Sequence, residues 1–93
     1  MRLSEDQLKI INETIKVFDP KAKIRLFGSR IKDEKKGGDI DLLILSNKLR
    51  LRDKLLIRSQ LKEKIGNRKI DIILTKKPTT AFEKYAFYNS VQI

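Results

Sequence analysis

The stretch Leu26-Phe27-Gly28-Ser29-Arg30, followed after a polar spacer by Gly38-Asp39-Ile40-Asp41, decides the reading of this chain. It has the form of a strand, a tight turn, a loop and a second strand that opens on two alternating carboxylates. Side chains alternate across a strand, so Asp39 and Asp41 are expected on one face and Ile40 on the other. Two neighbouring carboxylates repel each other unless a positive charge lies between them, and a divalent cation meets that need. The Gly28-Ser29 turn offers backbone N–H groups to a phosphate, and its glycine lets the backbone approach closely. Alone, a Gly-Ser pair is ordinary turn chemistry. Alone, a carboxylate pair at a strand end can simply face water. Together they place a phosphate holder beside a cation holder.

The 93 residues suit one domain, toward the small end of what builds a core unaided. The hydrophobic share of 40% fits a globular fold, and no run of about 18 apolar residues reads as a membrane span. Met1-Arg2-Leu3-Ser4-Glu5-Asp6 turns polar and acidic at once, unlike a signal peptide, so a cytoplasmic protein is expected. There is no cysteine and no histidine, which excludes disulfides, thiolate or imidazole metal sites and Ser-His or Cys-His catalysis. Any metal must be held by oxygen. The formal charge of +10 favours an anionic partner (a nucleoside triphosphate, a nucleic acid or an acidic protein), although solvated surface lysines produce the same number.

Along the chain, Ser4 and Gln7 form a capping-box pattern, and Leu8, Ile11 and Ile15 recur at helical spacing until Asp19-Pro20 ends the helix. Lys23 to Phe27 begins with the alternation of a half-buried strand. Leu42 to Leu45 is apolar on both faces, as in a central strand. Asn47 to Ile65 reads as mostly helix, capped by Ser46 or Asn47 and closed by Gly66-Asn67, with its first turns irregular. Its basic residues interleave with the apolar positions, and no aromatics accompany them, so stacking on single-stranded bases has little support. Arg68 to Thr75 is a further strand carrying one carboxylate, Asp71. A last helix starts near Pro78-Thr79-Thr80 with Phe82, Tyr85, Ala86 and Asn89 on one face, and Val91-Gln92-Ile93 can add a short strand. Tyr85 and Tyr88 are expected in the core or an interface rather than in chemistry. In the spacer, Lys35 and Lys36 are either solvated or near a triphosphate. Arg30, directly after the turn, is better placed to reach a phosphate.

Gly28-Ser29 followed by Asp39-x-Asp41 resembles the signature of the DNA polymerase β-like nucleotidyltransferase superfamily. A chain this short is similar to its minimal members, often found as antitoxin partners of HEPN-domain proteins. The resemblance runs from about Lys23 to the C-terminus, with Gly38 standing where the family often has serine. It implies an α/β fold over residues 1–93, a small mixed sheet with helices packed against it. It also implies that Asp71, on a neighbouring strand, completes a carboxylate set with Asp39 and Asp41. These three would hold Mg²⁺, two ions in the usual arrangement, while Gly28, Ser29 and Arg30 receive the phosphates of ATP. Asp71 is the candidate general base. The implied function is an antitoxin that moves AMP from ATP to a tyrosine hydroxyl of a cognate HEPN toxin. The alternative is a non-catalytic module that neutralises its partner by contact. A nucleic-acid partner rests on net charge alone.

Overall fold

A computed structural model describes residues 3–28, 40–66 and 68–93. Three helices and four strands follow in the order α1 (Glu5–Phe18), β1 (Lys23–Phe27), β2 (Ile40–Leu45), α2 (Leu51–Ile65), β3 (Ile70–Thr75), α3 (Ala81–Tyr88) and β4 (Ser90–Gln92). The strands form one mixed sheet in the order β3-β2-β1-β4. β1 runs antiparallel to both β2 and β4, whereas β2 and β3 are parallel and joined through α2. The expected small mixed α/β architecture is present.

Alternation divides the sheet into two faces. Ile24, Leu26, Ile40, Leu42, Ile44, Ile70 and Ile72 point to one side, where they pack with Ile11 and Ile15 of α1 and Ile57 and Leu61 of α2 in a single apolar core. The Lys64 ammonium donates to the buried Thr14 hydroxyl at 3.2 Å and links α2 to α1. The opposite face carries Arg25, Phe27, Asp41, Leu43, Asp71 and Ile73. The Arg25 guanidinium carbon lies 4.2 Å from the centroid of the Phe87 ring, so the C-terminal helix stands on this second side, beside β1. Arg25 also donates to the Ser90 hydroxyl at 2.6 Å and to the Ser90 carbonyl at 3.1 Å, tying β1 to the start of β4.

Helix ends follow local chemistry. Ser4 and Gln7 form the expected capping box, each side chain accepting from the other's amide. Thr80 and Glu83 do the same for α3. Gly66 ends α2 at φ +112°, a conformation that glycine adopts without strain. The start of α2 differs from expectation. The helix begins at Leu51, with Arg50 rather than Ser46 or Asn47 at its cap, and the Asp53 carboxylate accepts from the Arg50 amide at 2.9 Å.

Ser46 is used otherwise. Its hydroxyl donates to the Asp19 carboxylate at 2.5 Å and accepts from the amides of Lys48 and Leu49, each at 3.0 Å. Asp19 also accepts from the Lys21 amide at 3.0 Å. One buried carboxylate thus locks the α1–β1 turn to the end of β2. The Ser46 hydroxyl, the Lys21 amide and the nearby Lys48 and Lys16 ammonium groups hold Asp19 below its ordinary pKa of 3.8.

A carboxyl whose folded pKa is depressed stabilises the fold above its unfolded value, and that stability drains away as pH falls through the folded value. Ser46→Ala removes the donor and is expected to cost about 1 kcal/mol at neutral pH, or roughly 4–8 °C in melting temperature for a domain of this size. The deficit should shrink as pH falls from 3.8 through the depressed folded value, where Asp19 protonates in the wild type and its bond to the Ser46 hydroxyl loses its charge. Thermal denaturation from pH 2.5 to 7 tests this, and a deficit independent of pH would contradict it.

Candidate active site

The second face of the sheet concentrates acidity at one end. Asp41 is the second residue of β2 and Asp71 the second of β3, and the parallel register sets them directly opposite each other. Neighbouring strands lie about 4.8 Å apart, and paired residues project to the same side. Both carboxylates therefore rise from one edge of the open face, half-buried. Like charges placed opposite each other across a sheet are unfavourable. The Lys69 ammonium, 4.0 Å from an Asp71 oxygen, supplies one cation in response, but it is mostly solvent-exposed and worth little.

Gly28 completes this end. It directly follows β1, whose last residue, Phe27, pairs with Asp41. The backbone at Gly28 has φ +79°, a conformation that costs an L-residue roughly 1–2 kcal/mol. A Cβ placed there would lie 2.6 Å from Asp41 Oδ2 and 3.4 Å from its Cγ. Any side chain at this turn would thus meet the Asp41 carboxylate. The conformation demands glycine, and a Cβ would in addition push the end of the Asp41 side chain aside.

Of the residues singled out in the sequence, the fold brings together Gly28, Asp41 and Asp71. Ser29, Arg30 and Asp39 lie outside the described residues, as do Lys35, Lys36, Gly38 and Asn67. Among the described residues no group of three or more acidic or imidazole-type side chains converges on one point. The face assignment agrees with the alternation: Ile40 is fully buried in the core and Asp41 points to the opposite side.

A family model described as "Polymerase beta, Nucleotidyltransferase" matches residues 9–93, nearly the whole chain. The chain belongs to the polymerase beta nucleotidyltransferase family. A search of curated proteins finds no match. Membership gives the domain its general chemistry, nucleotidyl transfer from a nucleoside triphosphate, for which such domains generally use a divalent metal. No helix among the described residues is long and apolar enough to cross a membrane.

Sequence reasoning passed over Lys69, although the alternation that places Asp71 on the second face also places Lys69 there. It also left Tyr85 and Tyr88 between core and interface. Both are exposed, at 65% and 81%, as is Phe82 at 61%, which removes them from the core. Of α3, only Ala86 is fully buried.

The Gly28–Asp41 contact makes a testable coupling. Gly28→Ala should destabilise the domain by roughly 2 kcal/mol, from left-handed strain plus the clash. Asp41→Ala in the same chain should relieve the clash but not the strain. A double-mutant cycle by urea denaturation is expected to give a coupling of at least about 0.5 kcal/mol, and additive effects would contradict the contact.

Proposed function

We propose that this nucleotidyltransferase moves AMP from ATP to a hydroxyl of a partner protein, and that it acts as an antitoxin modifying a tyrosine of a HEPN-type toxin. The observation that carries the reading is the acidic end of the open sheet face. There Asp41 stands opposite Asp71, and the Gly28 backbone lies against Asp41. An all-oxygen donor set suits Mg²⁺, which prefers carboxylates, waters and substrate phosphates. Asp41 and Asp71, with Asp39 two positions before Asp41, would hold it, two ions in the full arrangement. When bound, the metal supplies Lewis-acid stabilisation of charge on the transferring phosphoryl group.

The chain's own residues do the rest. The turn at Gly28, Ser29 and Arg30 receives the triphosphate, because a glycine lets phosphate oxygens approach backbone N–H groups closely. Asp71 accepts the proton of the acceptor hydroxyl at its carboxylate. The hydroxyl oxygen forms a new bond to the α-phosphorus, the bond from that phosphorus to the β-phosphate oxygen breaks, and pyrophosphate leaves. Phe82, Tyr85 and Tyr88 present an exposed aromatic stripe on α3, which stands on the same side of the sheet as the carboxylates. Aromatic side chains of this kind are enriched in protein interfaces. They offer a landing surface for a protein acceptor whose reactive hydroxyl must reach Asp71.

A second reading, neutralisation by contact alone, is favoured by that same stripe, which needs no carboxylates to work. The two separate cleanly. Incubation of a candidate HEPN partner with this protein, ATP and Mg²⁺, followed by intact-mass measurement, should show the gain of at least one adenylyl group. Asp41→Ala should slow the gain by at least about 100-fold. Tight complex formation with no mass gain from any of the four nucleoside triphosphates would establish the contact reading instead.

A further inference from the structure

The opposite end of the sheet has a different character. A cleft of about 660 Å³ opens where the parallel strands β2 and β3 end and β1 begins. Its walls come from three separate connections: the α1–β1 turn, the segment between β2 and α2, and the segment between β3 and α3. Each contributes lysine: Lys21 and Lys23 from the first, Lys48 from the second, Lys76 and Lys77 from the third. All five are exposed, and no described carboxylate lies within 4.0 Å of any of these ammonium groups. The one acidic residue in the lining, Asp19, has its carboxylate engaged by the Ser46 hydroxyl and the Lys21 amide. The rim therefore carries about four uncompensated positive charges around a concave space.

We infer that this cleft grips the phosphate backbone of a single-stranded nucleic acid, without reading its sequence. Three features are compatible with that ligand. The cations are all lysines, adaptable point charges that can follow phosphates spaced along a flexible strand. No aromatic side chain lines the cleft, so a strand lying there is held through its phosphates alone and not by stacking of its bases. A volume of this size admits a few nucleotides of one strand rather than a duplex. Lys23 and Leu45, in register with each other, belong to the same sheet face as Asp41. The four residue steps from Asp41 to Leu45 span about 13 Å at the usual strand rise. The cleft is thus a second site on the acidic face, separated from the carboxylates by the length of β2.

The test uses fluorescence anisotropy with a labelled 12-nucleotide RNA of mixed sequence, in buffer free of nucleoside triphosphate and divalent cations. Binding then does not depend on the transferase reading, and either can fail alone. Affinity should fall with salt at a log–log slope near −3, as expected for about four neutralised phosphates on a single strand. The triple variant K48E/K76E/K77E should weaken binding more than tenfold, and the neutral K48Q/K76Q/K77Q by a smaller factor. Circular dichroism verifies that both fold. A control reversal on α2, R52E/K62E, should change affinity less than threefold. Equal losses from the control and cleft variants would overturn the proposal in favour of diffuse surface charge. A poly-glutamate peptide of the same length binding as tightly as the RNA would overturn it in favour of an acidic protein partner.

Discussion

The parallel pairing of β2 with β3 is the constraint on which the site depends. It places Asp41 opposite Asp71 with no spacer residue between them. A one-residue slip would turn one carboxylate into the apolar core, where burying a charge is prohibitive, so the hydrophobic pattern enforces the acidic pair. Ile40, Leu42 and Ile44 fill the core from β2, and Ile70 and Ile72 do so from β3. The two carboxylates, Asp41 and Asp71, occupy alternate positions on the opposite face. The fold therefore holds two like charges side by side because its core allows no other register.

Much of this was legible from residue order. Lys23 to Phe27 coincides with β1, Ser4 and Gln7 cap α1, and the Asp19-Pro20 stop falls where the helix ends. The acidic pair was partly legible: alternation alone assigns Asp41 to the face opposite Ile40. The pairing of Asp41 with Asp71 was not, because strand register over a gap of thirty residues is a tertiary property, and only family resemblance suggested it. The beginning of α2 was misread for a chemical reason. Ser46 has the right side chain for a helix cap, but its hydroxyl caps the Lys48–Leu49 turn and binds Asp19, which lies far away in sequence. Leu51 and Leu55, spaced like core residues, are 66% and 52% exposed, since the buried stripe of α2 passes through Ile57 and Leu61.

The two ends of the open face differ in charge. The end where β2 and β3 begin is acidic and lies against the Gly28 turn, while the end where they finish is ringed by lysine. A net charge of +10 on 93 residues is therefore not spread as a featureless coat. Part of it is gathered into a concave site and part lies along α2, and the two make different demands on a ligand. The exposed aromatics of α3 add a third surface, apolar and suited to protein rather than to phosphate.

The central claim is that Asp41 and Asp71 hold a divalent cation beside Gly28. Titration with Mn²⁺, followed through the backbone amide NMR resonances, tests it most directly, because the paramagnetic ion broadens nearby signals whatever the acceptor proves to be. The account predicts that broadening centres on Gly28, Asp41 and Asp71 and is lost in Asp41→Asn. Broadening that spares these amides, or that survives the substitution unchanged, would contradict it.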